Sequence, residues 1–120
     1  MRTIITLFAL ALLLSTTHPA GAHAFLDRAD PRVGSSVPTA PREVGLWFTQ
    51  KLEPAFSNAQ VTNSAGARVD LGRARIDRSD PSAMHVSLKA LAPGTYKVHW
   101  RVLSVDTHTT EGSFSFRVGQ

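Results

Sequence analysis

Asp106 and His108, close to the end of the chain, have the residue types and the spacing of a metal-binding pair. In an extended strand, side chains two residues apart project from the same face, with their Cα atoms about 6.6 Å apart. A carboxylate oxygen and an imidazole nitrogen in that arrangement can both reach one ion. An Asp and a His at this spacing also occur on ordinary solvated surfaces, so the pair alone does not establish a site.

The N-terminal segment determines whether a further histidine joins this pair. Arg2 precedes an apolar run of eleven residues, 4–14, which is about half the length that a membrane-spanning helix needs. Residues 20–22 (Ala-Gly-Ala) then supply the small-x-small pattern that signal peptidase accepts. We therefore predict an export leader over residues 1–22 and a mature domain over residues 23–120.

Cleavage after residue 22 makes His23 the new N-terminus. A rival cleavage after residue 24 stays open, because residues 22–24 (Ala-His-Ala) have the same pattern. An N-terminal histidine offers its amine and its Nδ1 to one ion in a six-membered chelate. With a His108 nitrogen and an Asp106 oxygen, these donors form an N₃O set in tetragonal geometry, which suits Cu(II), whereas zinc prefers a tetrahedron. The prediction requires the N-terminal arm to lie beside the end of the strand that bears Asp106.

The composition excludes several other kinds of site. The chain has no cysteine, which rules out disulfides, thiolate zinc sites, blue-copper ligation, iron–sulfur clusters and a cysteine nucleophile. Without Arg2, 12 Lys and Arg residues remain against 9 Asp and Glu residues; they are scattered, and nucleic-acid binding is not expected. The sequence shows no serine triad, phosphate loop or buried carboxylate pair, so we predict that the protein is not an enzyme.

The remaining candidate donors are predicted to lie elsewhere. Met84 is the only methionine of the mature chain, and its alternation places it in the core, so a thioether site for Cu(I) is not expected. His85 and His99 are predicted on outward faces of strands, as solvated side chains. The sequence leaves open whether either of them forms a minor second site.

Period-two alternation after residue 40 predicts an all-β fold. The clearest strand spans residues 95–105, where Tyr96, Val98, Trp100 and Val102 share one face. About seven short strands, separated by Pro and Gly, predict a Greek-key β-sandwich or small barrel with an aromatic core.

Three segments resemble the CopC family of periplasmic copper-binding proteins. That family's opening His-Ala-x-Leu and its Ser/Ala-x-Pro turn are similar to the start of the mature chain, HAFLDRADPRVGSSVPTAPREVGLWFTQKLEPAF. Its ending, Ser-x-Asp-x-His-x-x-x-Gly-x-Phe-x-Phe, resembles SVDTHTTEGSFSFRV, and the strand before it resembles GTYKVHWRVLS. Two positions depart from the family: Phe25 stands where many members have a second early His, and Thr107 replaces a common Gly.

The resemblance implies a cupredoxin-like or immunoglobulin-like β-sandwich that binds one Cu(II) ion per chain. The ligands would be the amine and imidazole of His23, the carboxylate of Asp106 and the imidazole of His108. It also implies a periplasmic role in copper homeostasis and resistance, either sequestering copper or delivering it to a partner such as an inner-membrane copper importer. Neither a nucleic-acid partner nor stable membrane insertion of the mature chain is expected.

Two other functions remain as alternatives. An amino-terminal His with a second His resembles the histidine brace of copper monooxygenases, although Asp106 would then occupy a position that those enzymes leave for oxygen. An exported immunoglobulin-like interaction module without a metal is equally compatible with the composition.

Overall fold

The computed structural model describes residues 24–119, so the predicted leader and His23 lie outside the described part. Within it, eight β-strands and one short 3₁₀ turn, Pro54–Phe56, are formed. The strands are β1 (Leu26–Asp30), β2 (Ser36–Val37), β3 (Glu43–Phe48), β4 (Asn58–Asn63), β5 (Arg75–Ile76), β6 (Ala83–Ser87), β7 (Gly94–Leu103) and β8 (Thr109–Val118). No helix among the described residues is long and apolar enough to span a lipid bilayer.

The strands form two four-stranded sheets. The first has the order β1-β3-β6-β5 and is antiparallel throughout. The second has the order β2-β8-β7-β4, in which only β2 runs parallel to its neighbour. The predicted all-β fold is therefore confirmed. The structure has eight strands where about seven were predicted. The two-residue strands β2 and β5 are too short for alternation to show in the sequence.

The predicted aromatic core lies between the sheets. Strand β7 buries Tyr96, Val98, Trp100 and Val102 and exposes the residues between them, as alternation requires. The Trp100 ring meets Phe48 of β3 edge-on at 5.2 Å, which joins the two sheets. Opposite Trp100 on β8 lies Gly112. A Cβ atom at that position would fall 2.6 Å from Trp100 Cζ2, so the glycine makes room for the indole.

The chain crosses from one sheet to the other at Asp70. Before it, the Val69 N–H donates to Val61 of β4; after it, the Leu71 N–H donates to Ser87 of β6. The buried Asp70 carboxylate accepts hydrogen bonds from the Val61 N–H at 2.9 Å and from Nε and Nη2 of Arg68. The side chain of Asp70 thus takes over a hydrogen bond to β4 that a strand partner would otherwise make.

Candidate metal site

A five-residue turn, residues 104–108, joins β7 to β8 and carries both predicted donors of this region. Leu103 and Thr109 form the last cross-strand pair before it. Within the turn, the Ser104 N–H donates to the His108 carbonyl at 3.0 Å, and the Thr107 N–H donates to the Ser104 carbonyl at 2.9 Å. We call residues 104–108 the site turn. The prediction that Asp106 belongs to an extended strand was wrong, because β7 ends at Leu103.

The site turn nevertheless brings Asp106 and His108 together. Asp106 Oδ1 lies 3.3 Å from His108 Nδ1, and the two side chains are 35% and 48% exposed. Two donors bound side by side to one ion, each at roughly 2.0–2.2 Å, are about 3 Å apart. The observed separation therefore fits shared coordination with little movement, and both donors are open to solvent.

The carboxylate of Asp106 is held in its ionised form by the site turn. The Ser104 hydroxyl donates to Asp106 Oδ1, and the His108 N–H lies 3.4 Å from the same oxygen. The Ser104 hydrogen bond is the main reason that the pKa of Asp106 lies below its usual value, with a smaller contribution from His108. An ionised carboxylate is the form that binds a metal.

Thr107 adopts an unusual backbone conformation between the two donors. Its φ is +73°, and it is the only non-glycine residue with a positive φ among residues 24–119. The left-handed region is strained for a β-branched residue. The family resemblance marked this position through its common Gly, and the left-handed backbone angle is what favours glycine there.

The start of the described chain is fixed next to the site turn. Ala24 is fully buried, and its carbonyl accepts a 2.6 Å hydrogen bond from Thr110 Oγ1 on β8. Phe25 and Thr49 exchange two further hydrogen bonds, from the Phe25 N–H to Thr49 Oγ1 and from the Thr49 N–H to the Phe25 carbonyl. The N-terminal arm therefore contacts β8 two residues after His108. His23, the residue directly before Ala24, lies outside the described residues.

The other candidate donors lie away from this region. Met84 is fully buried, as predicted. His99 is exposed and 3.6 Å from Glu111. The expectation of a solvated His85 was wrong: its side chain is only 15% exposed, with Nε2 2.9 Å from Asp77 and Nδ1 3.0 Å from Glu43. The alternation predicted its face correctly, but not the two carboxylates that enclose it.

Within residues 24–119, no three His, Asp or Glu side chains converge in a way that could hold a metal ion. Asp106 and His108 supply two candidate donors within this range. Ser104 and Thr110 were not singled out from the sequence. Ser104 had a usable signal, because it is the first residue of the Ser-x-Asp-x-His motif that resembles the family ending; Thr110 had none.

Comparison with known proteins agrees with this architecture. The family model described as the CopC domain matches residues 26–119. The chain belongs to the CopC family. The crystal structure of CopC from Methylosinus trichosporium OB3b superposes with a TM-score of 0.75 at 35% identity, covering 80% of this chain and 93% of that one.

Two CopC-family relatives have names that describe a role. "Copper resistance protein C" of Xanthomonas campestris pv. juglandis is 35% identical over 123 residues, covering 98% of this chain and 96% of that protein. "Copper transport protein CutJ" of Bacillus subtilis is 32% identical over 118 residues, covering 98% of this chain but only 21% of that protein. The same kind of chain thus occurs alone and as about a fifth of a longer protein.

The strain at Thr107 predicts that Thr107→Gly stabilises the protein. Removing a left-handed β-branched residue relieves roughly 1–3 kcal/mol, against roughly 0.5–1 kcal/mol for the greater freedom of an unfolded glycine. A net gain of about 1 kcal/mol raises the melting temperature of a domain of this size by about 4–8 °C. Thermal unfolding followed by circular dichroism measures it.

Thr109→Gly is the matched control, since Thr109 lies in β8 with an ordinary backbone conformation. This substitution should lower the melting temperature, because glycine weakens a strand. Equal losses of stability in the two variants would contradict the assignment of strain to Thr107.

Proposed function

We propose that the mature protein binds one Cu(II) ion in the periplasm and either sequesters it or delivers it to a membrane copper importer. The ligands are the amine and imidazole of His23, the carboxylate of Asp106 and the imidazole of His108. The observation that carries this proposal is the hydrogen bond from Thr110 to the Ala24 carbonyl, which ties the residue after His23 to the strand that follows the site turn.

Covalent geometry supports the inclusion of His23. Consecutive Cα atoms are about 3.8 Å apart across a trans peptide bond, so His23 is attached within one residue of a buried, hydrogen-bonded anchor. Cleavage after residue 22 would give this histidine a free amine. It would then offer two nitrogens to the ion that Asp106 and His108 share, which completes the N₃O set.

The donor types favour Cu(II) over Cu(I). Thiolate and thioether ligands select Cu(I), whereas imidazole, amine and carboxylate donors in a tetragonal arrangement suit Cu(II). The chain has no cysteine, and Met84 is enclosed in the core. The exposed, ionised Asp106 adds a hard anionic donor.

The names of the relatives support copper as the ligand and suggest its fate. A protein named for copper resistance matches almost the whole chain. A protein named for copper transport contains a similar chain as about a fifth of its length. Fusion to a transport protein supports delivery to a membrane partner, and existence as a separate chain supports a carrier or buffer in the periplasm.

Removing His108 should abolish tight binding of Cu(II). We expect the processed protein to bind one equivalent with a tetragonal electron paramagnetic resonance spectrum. His108→Ala should weaken binding by more than the roughly 10–100-fold that loss of an outer-shell partner costs. Binding should also weaken as the pH falls, because protons compete with the ion for its nitrogen donors. The low pKa of Asp106 means that its carboxylate does not contribute to this change near neutral pH.

His99→Ala is the matched control, because His99 is also 48% exposed and also faces a carboxylate. It should bind Cu(II) as the unsubstituted protein does, when both are measured by competition with a chelator of known affinity. An equal loss in His99→Ala and His108→Ala, or binding that is constant from pH 5 to 8, would contradict the proposed ligand set.

Releasing the N-terminal arm should weaken binding without changing the donors. Thr110→Val keeps the shape of the side chain and removes the hydroxyl that holds the Ala24 carbonyl. Loss of a hydrogen bond worth about 1 kcal/mol lowers the affinity about fivefold, whereas the resonance spectrum should remain that of the same four donors.

Thr109→Val tests the same exchange on the adjacent, exposed residue of β8. It should leave Cu(II) affinity unchanged. If Thr110→Val also binds with unchanged affinity, the arm does not position a ligand and the proposal loses its main support.

A further inference from the structure

Ser104 lies fully buried beneath the two donors of the site turn. Its N–H, its carbonyl and its hydroxyl all form hydrogen bonds within that turn. Its N–H donates to the His108 carbonyl at 3.0 Å, its carbonyl accepts from the Thr107 N–H at 2.9 Å, and its hydroxyl donates to Asp106 Oδ1. The hydroxyl also lies 3.3 Å from the His108 carbonyl oxygen. One residue therefore contacts the backbone or side chain of both predicted ligands.

The main-chain hydrogen bonds that close the turn do not depend on the Ser104 hydroxyl. The turn is closed by main-chain hydrogen bonds that any residue other than proline could make at position 104. The side-chain bond to Asp106 instead restrains a carboxylate that is about one-third exposed. Groups that hold a metal ligand in this way commonly change metal affinity by about 10–100-fold.

We propose that Ser104 is the positioning residue of the Cu(II) site: its hydroxyl orients the Asp106 carboxylate toward the ion that His108 shares. This inference rests on the proposed function. In this proposal the Ser104 hydroxyl acts through Asp106, the ligand to which it donates its hydrogen bond. Its effect on Cu(II) binding must therefore depend on the presence of the Asp106 carboxylate.

Ser57 provides a matched control for the loss of a buried hydroxyl. It is as buried as Ser104, at 1% exposure, and it is also close to the end of β7. Its Oγ accepts a 3.1 Å hydrogen bond from the Leu103 N–H, which is a contact to the backbone and not to a ligand. Ser57→Ala should therefore lower stability without changing how Asp106 is held.

The test is a double-mutant cycle between Ser104→Ala and Asp106→Ala, with Ser57→Ala measured beside it. Cu(II) affinity is determined by chelator competition, the coordination by electron paramagnetic resonance, and the stability of the metal-free protein by thermal unfolding. We expect Ser104→Ala to bind Cu(II) about 10–100-fold more weakly and to show an altered copper hyperfine splitting. In the Asp106→Ala background, the same change should cost less than about twofold. Ser57→Ala should retain the affinity and the spectrum of the unsubstituted protein.

Three results would overturn the inference. Ser104→Ala could bind as tightly as the unsubstituted protein, it could lose as much affinity with Asp106 replaced as with Asp106 present, or Ser57→Ala could lose the same affinity. Each of these leaves the proposed function intact, because the unsubstituted protein binds Cu(II) in all three. Failure of the unsubstituted protein to bind Cu(II) would instead overturn the proposed function, and this inference with it.

Discussion

The hydrogen bond from Thr110 Oγ1 to the Ala24 carbonyl joins two parts of the chain that are 86 residues apart. On one side is the first residue of the described structure, fully buried. On the other is the strand that begins directly after His108. A site assembled from a chain terminus needs such an anchor, because termini are poorly ordered unless they are tied down. This bond and the two between Phe25 and Thr49 fix the arm against the β-sandwich.

The proposed site divides into a preformed half and a terminal half. The preformed half is the site turn, where main-chain hydrogen bonds and the Ser104 hydroxyl set Asp106 and His108 3.3 Å apart before any ion arrives. Thr107, between the two donors, contributes backbone strain. The terminal half is His23, whose two nitrogens would become available together through leader cleavage. Under the proposed function, export and Cu(II) binding would be linked, because cleavage after residue 22 would free the His23 amine.

The extent to which the sequence predicted these features depended on how local they are. Alternation identified the buried face of β7 because Tyr96 to Val102 follow a strict period of two. It placed Asp106 and His108 together for the wrong reason, since a turn after β7, and not an extended strand, brings their side chains within reach of each other. The burial of His85 depends on Glu43 and Asp77, which come from other strands or loops. The Thr110 contact to Ala24 left no sequence signal at all, because contacts across 86 residues are set by the folded topology.

The most direct measurement compares Cu(II) binding by the chain that begins at His23 with the same chain carrying one added alanine before it. The addition keeps every side chain and moves only the free amine away from the imidazole. The account predicts that the chain beginning at His23 binds more tightly by more than the roughly 10–100-fold attributed to outer-shell contacts, and that the longer chain loses one nitrogen coupling from its resonance spectrum. Equal affinities with identical spectra would contradict it.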